Sequence, residues 1–499
     1  MAKVVVIGAG LGGLSAAARL GALGHQVTVV EQAAQVGGKL GLLRREGFAF
    51  DTGPSLVTLP AVYRDLFLKT GRPLDDELEL VPLDPTCHYR FPGGLEFDLP
   101  NTGPAGVSRA WAAALGEKAG RDWSAFHQRS ARIWDLTRDP FLESPLEGVR
   151  TLLGLARNPA DVRTVAPWLS LRDLGRKYLQ APEQRMFLDR YATYTGSDPR
   201  RAPAALATIP FVEHAFGAWY IPGGLWRLGA AITERAVSRG VKIRTSAPVS
   251  RVLAAPKVEG VQLESGETLP ADVVVSGVEA AHLYRDLLPG SEGDRGRRAL
   301  AKASPSLSGF VMLLALRGRT PGLRHHTVLF PSDYDAEFDH VFGTGRQSGR
   351  PSPVPDPTVY ISAPDDPELR PDDDHEAWFV LVNAPRHDPG SGMDWDQPGL
   401  AASYAEKILD VMARRGLDVR ERLLWKEIRT PADLERNTRS TGGAIYGSSS
   451  NGARSAFLRP ANRSPVPGLF LVGGSSHPGG GLPLVGLSAA IVADLIGKA

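Results

Sequence analysis

Apolar positions along this chain fall into short runs whose ends are set by glycine and proline. Lys3 to Gly8 reads as a buried strand, Leu14 to Leu23 as an alanine-rich helix and Gln26 to Glu31 as a second strand, so the chain opens on a βαβ unit. Val241 to Ala255, Gly260 to Leu263, Ala271 to Ser276 and Leu469 to Val472 read as further strands. Between Thr102 and about Arg200 the spacing is helical, with breaks at Asn158-Pro159, Ala166-Pro167 and Asp198-Pro199 that predict an insertion of short helices. From Ser308 to Arg429, the runs Phe310 to Leu316, Val359 to Ser362 and Trp378 to Val382 alternate with loops rich in proline and aspartate, which predicts a second sheet. No repeat of fixed period is present.

Length and composition narrow this picture. A chain of 499 residues predicts two or three domains. Formal net charge is +2, which asks for neither a nucleic-acid partner nor an acidic substrate. The single cysteine, Cys87, excludes an intramolecular disulfide and a cysteine-ligated metal, so redox chemistry needs a bound cofactor and the expected compartment is the cytoplasm. The apolar run from Val4 to Leu14 lacks a basic flank and a cleavage site, and the uncharged stretch from Ser464 to Ala493 is broken by four prolines, so neither is expected to be a signal peptide or a spanning helix.

The strongest chemical signal is Gly8-Ala9-Gly10-Leu11-Gly12-Gly13 between the first strand and its helix, with Glu31 at the end of the next strand. Gly8 permits the tight turn, Gly10 the approach of a pyrophosphate to the helix N-terminus and Gly13 close packing of helix on strand, while Glu31 would accept both ribose hydroxyls. An acid at 31 disfavours a 2′-phosphate and leaves NAD and FAD open. Gly37-Gly38-Lys39 and Asp51-Thr52-Gly53-Pro54 follow, beyond what a simple NAD dehydrogenase needs. Lys39 could neutralise the pyrophosphate, and the turn at Gly53 could approach an isoalloxazine ring. Downstream, Leu469 to Gly474 repeats the strand-then-glycines pattern, and His477-Pro478-Gly479-Gly480-Gly481-Leu482-Pro483 precedes a helix from about Leu484. The positive end of that helix suits the N1/O2 locus of a reduced flavin.

These blocks, together with Trp219-Tyr220-Ile221-Pro222-Gly223-Gly224 and the stretches Thr430 to Asp433 and Gly442 to Gly447, resemble the bacterial phytoene desaturase family of carotenoid oxidoreductases over nearly the whole chain. Within it the chain resembles desaturases of hydroxylated acyclic carotenoids. It departs from the common pattern in having Lys39 where arginine is frequent, and Ser475-Ser476 where an acidic or small residue followed by threonine is frequent.

The resemblance implies an α/β fold with a Rossmann-like FAD-binding domain (1–85, 221–290 and 460–499) and a discontinuous substrate domain (86–220 and 291–459), the latter including a helical membrane-associating region at 102–205. It implies FAD held by Gly8, Gly10, Gly12, Gly13, Glu31, Gly37, Gly38, Lys39, Gly53, Pro54, Val249, Gly474, Pro483 and Leu484, with no metal. The implied reaction is desaturation of an acyclic carotenoid, at carbons 3 and 4 of a hydroxylated one, by hydride loss to flavin N5 and proton loss from the neighbouring carbon. Quinone or oxygen would reoxidise the flavin, and the chain would attach peripherally to the inner face of the membrane that stores the substrate.

No acid–base pair stands out. His477 is a candidate base or ring contact, against a structural histidine capping the loop. Tyr220 and Trp219 are candidate tunnel residues, against plain core aromatics. Arg200-Arg201 reads as a solvated loop, against a contact with interfacial phosphate. Leu146 to Gln180 mixes basic residues with Leu152, Leu153, Leu155, Val165, Trp168, Leu169 and Leu171, which suits an interfacial helix and equally an amphipathic helix packed on its own domain. Competing activities are phytoene desaturation, cis-trans isomerisation with reduced FAD, amine oxidation, and carotenoid carriage without turnover.

Overall fold

A computed structural model describes residues 1–146, 158–347, 349–452 and 455–499. Its centre is a five-stranded parallel sheet in the order Lys242–Arg244, Gln26–Val30, Lys3–Ile7, Val273–Ser276 and Leu469–Leu471. The run Val4-Val5-Val6-Ile7 is continuously apolar because both faces of this sheet are covered. Val4 and Val6 pack under the helices Leu11–Ala22, Trp226–Ser238 and Leu482–Ile496, whereas Val5 and Ile7 pack against the antiparallel meander Val249–Ala254, Val258–Leu263, Thr268–Pro270.

The stretch expected as one strand from Val241 is therefore two elements. Ser246 at φ +50 and Pro248 turn the chain from the parallel sheet into the meander. The first helix begins at Leu11, earlier than the low helix propensity of Gly12 and Gly13 suggests, because Gly10 serves as its N-cap.

A second sheet of seven strands runs Leu423–Arg429, Ser308–Arg317, His375–Ala384, Val359–Ser362, His326–Leu329, Cys87–Arg90, Glu96–Leu99. All its pairings are antiparallel except that of His326–Leu329 with Cys87–Arg90. Phe310, Met312 and Leu314 face the core under helix Leu400–Arg414, while Leu313 and Ala315 face Phe48 and Phe50 of the hairpin Leu42–Arg45, Phe48–Asp51.

Residues 103–216 contribute the helices Gly103–Leu115, Glu117–Thr137, Pro159–Val165, Leu171–Tyr178, Pro182–Thr193 and Thr208–Phe216. They close on an aromatic core of Trp111, Trp123, Phe126 and Phe187. Among the described residues no helix is long and apolar enough to cross a membrane.

The candidate interfacial segment divides. Arg150, Leu152, Leu153, Leu155 and Arg157 lie outside the described residues. Leu171 and Leu174 are core residues, and Arg172 is committed to Asp189 and Asp335. Trp168, by contrast, is 61% exposed beside the exposed Pro167. Arg200 is no solvated loop residue: it bridges Asp198 at 2.8 Å and Asp339 at 2.7 Å.

Candidate functional site

Strand, turn and helix build a cradle at the head of the parallel sheet. Gly8 takes φ +93, and its N–H donates to Val30 O at 2.8 Å. A Cβ on Gly13 would lie 2.1 Å from Gly8 O, and one on Gly12 would lie 2.9 Å from Gly473 Cα, so these glycines let the helix sit on the strand and the C-terminal loop sit on the helix. At Gly10 nothing lies within 4 Å of a Cβ, which leaves the backbone open to the cavity. Gly37 donates to Ala9 O at 2.8 Å, and Gly38, at φ +59, approaches Gly10. This cradle, at a helix N-terminus and floored by backbone, fits the pyrophosphate of a dinucleotide.

Glu31 is almost buried, and its carboxylate accepts from Ala9 N at 2.7 Å and Ala33 N at 2.9 Å. It thus clamps the glycine turn while still lining the cavity, a second duty that its spacing alone did not reveal. Lys39 also has protein partners of its own. Its Nζ donates to Ile445 O at 2.7 Å and Ala444 O at 3.1 Å, and burial pushes its pKa down to about 8 against the pull of Glu279. The ammonium ties the first glycine loops to the block at 444–447, and Lys39 also lines the cavity. A Cβ on Gly53 would lie 1.9 Å from Lys39 O, so the turn at 53 is packed on the same lysine's backbone.

The C-terminal return closes the other wall. Arg459 donates to Gly474 O at 2.6 Å, Tyr446 O at 2.9 Å and Ser448 O at 2.6 Å, joining the two glycine-rich blocks. Gly481 at φ +99 caps helix Leu482–Ile496, whose first turn, with Pro483 and Leu484, faces the cavity.

One cavity of about 910 Å³ brings together Gly8, Gly10, Gly12, Glu31, Gly37, Gly38, Lys39, Gly53, Pro54, Val249, Gly474, Pro483 and Leu484. Gly13 alone of the expected set does not line it, consistent with its packing contact. The same cavity continues between the second sheet and the helices, along Trp134, Phe141, Val165, Leu206, Ile209 and Val212, and reaches the exposed Pro167.

Three candidates stand apart from it. His477 is fully buried with Nε2 at 3.0 Å from Ser144 O, and burial drives its pKa down to about 4, so it is a neutral structural group and not a base facing the cavity. Tyr220 donates to Asp366 at 2.8 Å, and Trp219 donates to Phe216 O at 3.0 Å; neither lines the large cavity, because their strand Ala218–Tyr220 is sandwiched between Val57–Thr58 and Val81–Pro82. Residues that sequence reasoning missed include Ser55, Arg190, Glu213, Glu279, Tyr360 and Arg459, which no local pattern joins.

A family model described as "Flavin containing amine oxidoreductase" matches residues 11–496, and the chain belongs to that family. It is an oxidoreductase and its cofactor is FAD. Within the family it belongs with the carotenoid desaturases and oxygenases. It is 33% identical to a 4,4'-diapolycopene oxygenase of Methylomonas sp. over 99% of this chain and 98% of the relative. It is 33% identical to a 1-hydroxycarotenoid 3,4-desaturase of Flavobacterium sp. over 99% of both, and 34% identical to a hydroxyneurosporene desaturase of Cereibacter sphaeroides over 99% and 98%. Among solved structures, an oxidoreductase from Methanosarcina mazei aligns over 99% of this chain and 100% of its own, with TM-score 0.64 and 17% identity, a likeness of fold alone.

Proposed function

We propose that the protein desaturates an acyclic carotenoid, at carbons 3 and 4 of a hydroxylated one, and that the two interleaved sheets correspond to a cofactor domain (1–85, 221–290 and 460–499) and a substrate domain (86–220 and 291–459). The carrying observation is one continuous cavity that joins the glycine cradle to an apolar stretch whose lining includes the exposed Pro167, next to the exposed Trp168. The names of the full-length relatives support the substrate class.

In this reading the backbone around Gly8, Gly10, Gly12, Gly37 and Gly38 holds the pyrophosphate, Glu31 and Val249 hold the adenosine end, and Gly53, Pro54, Gly474, Pro483 and Leu484 border the ring. Bound FAD supplies the hydride acceptor. The chain's own part is positioning and dryness. Leu381, Phe379, Val311 and Ile445 wall the cavity beside these loops, and a conjugated substrate spreads the developing positive charge over itself. Lys39 and Arg459 both bond backbone carbonyls of the loop at 444–448, whose Tyr446 lines the cavity.

A lipid-dissolved substrate enters from a membrane surface at the Pro167–Trp168 mouth, and quinone or oxygen takes the electrons onward. Incubating FAD-loaded protein with single carotenoids in liposomes tests this. A product two hydrogens lighter, with absorption moved to longer wavelength, supports desaturation. Unchanged mass would assign isomerisation, and added oxygen would assign the oxygenase activity named for the Methylomonas relative.

A further inference from the structure

Away from the glycine cradle, one end of the cavity carries a second polar cluster. Helix Pro182–Thr193 carries Arg190 into it, and this arginine is only 8% exposed. Its Nη1 donates to the Tyr194 hydroxyl at 2.5 Å, and its guanidinium carbon lies 5.1, 5.5 and 5.8 Å from the ring centroids of Tyr194, Tyr360 and Tyr89. No carboxylate pairs with it among the described residues, although a guanidinium has five N–H donors. Glu213 lines the same space: its Oε1 accepts from the Tyr191 hydroxyl at 2.6 Å, and its Oε2 has no partner among the described residues. Unused donors on a buried cation are costly unless something in the cavity supplies an acceptor.

This end lies beside the expected ring-facing loop. The Tyr360 hydroxyl is hydrogen-bonded to Ser55, two residues beyond Gly53, and both line the cavity. In a chain hydroxylated at carbon 1 and oxidised at carbons 3 and 4, the oxygen is three bonds from the nearer reacting carbon. A polar anchor for such a substrate has to adjoin the reacting centre, and an anchor for oxidation near the middle of the polyene has to be remote from it.

We propose that Arg190, aided by Tyr194 and Glu213, determines specificity for a hydroxyl at the end of the polyene, a reading that rests on the carotenoid assignment above. The guanidinium donates to the hydroxyl oxygen, and Glu213 Oε2 accepts the hydroxyl proton. A carboxylate end would face the Glu213 carboxyl in the same pocket, and a hydrocarbon end would leave both groups unpaired.

The test compares binding of two acyclic carotenoids of equal conjugation, one 1-hydroxylated and one hydrocarbon, to the FAD-loaded enzyme in detergent micelles. The parent should prefer the hydroxylated one by roughly ten- to a hundredfold in Kd, as expected for a hydrogen bond to a charged group. Arg190→Met should lose most of that preference with hydrocarbon affinity and FAD content unchanged. Tyr194→Phe, which keeps the ring, should lose part of it. Equal binding of the two ligands by the parent, or a full preference retained by Arg190→Met, overturns the proposal. Should Arg190→Met fail to retain FAD, full preference in Tyr194→Phe overturns it. A parent that binds neither carotenoid refutes the carotenoid assignment itself.

Discussion

Adding one methyl group at Gly10 and, separately, at Gly13 separates cofactor binding from folding. Gly10 has φ −72 and ψ 169, open to any residue, and its Cβ position is empty. Alanine there should leave urea-unfolding stability of the apoprotein within about 1 kcal/mol of the parent, because a poorer N-cap is offset by a less free unfolded chain. The same methyl projects into the cradle, so FAD affinity should fall by at least about tenfold, or ~1.4 kcal/mol. At Gly13 the Cβ would stand 2.1 Å from Gly8 O, where real contacts stay above 3.0 Å. Helix and strand would have to separate by about an ångström, with backbone on both sides, at a cost of roughly 1–3 kcal/mol or more in the apoprotein. Flavin-fluorescence titration and urea unfolding read the two effects separately. Parent-like FAD affinity in Gly10→Ala, or parent-like stability in Gly13→Ala, would refute the division of roles.

Glu31→Ala should cost both stability and FAD affinity, the latter by roughly ten- to a hundredfold, since the carboxylate clamps two backbone N–H groups beside the cofactor. Titration at unchanged affinity would contradict it. For Lys39 the folded apoprotein holds its proton less tightly than the unfolded chain, with a pKa of about 8 against 10.5. The unfolded state therefore binds more protons between these values, and parent stability should rise as pH goes from 8 to 10.5, by on the order of 3 kcal/mol at most, whereas Lys39→Met should lack that rise. His477→Gln should leave the pH dependence of turnover unaltered between about pH 5.5 and 8, because His477 is already neutral there; a lost limb in the profile would restore it as a base. Trp168→Ser should keep FAD bound yet weaken liposome co-sedimentation by about tenfold or more, as loss of one large apolar anchor implies.

What could be read from sequence was whatever is encoded within one short stretch. Glycines between a strand and a helix announce the cradle because the backbone itself makes the contact, and Val4 to Ile7 announces a doubly covered strand because every position is buried. Partnerships across hundreds of residues left no such trace. The bonds from the Lys39 ammonium to Ala444 O and Ile445 O could not be read from the glycine pair beside it, and Arg459 was silent because its acceptors are all backbone carbonyls. His477 was attractive for its place beside the C-terminal glycines, but its side chain turns away to Ser144 O. Arg190 sits in an ordinary amphipathic helix, Pro182–Thr193, and only the tertiary fold turns it toward the cavity.

The most direct measurement is an anaerobic single turnover with the hydroxylated carotenoid, following the flavin absorption band and product mass together. The account predicts one flavin reduced for each product molecule that has lost two hydrogens. Product formed at unchanged mass, or with the flavin band unaltered, would contradict it.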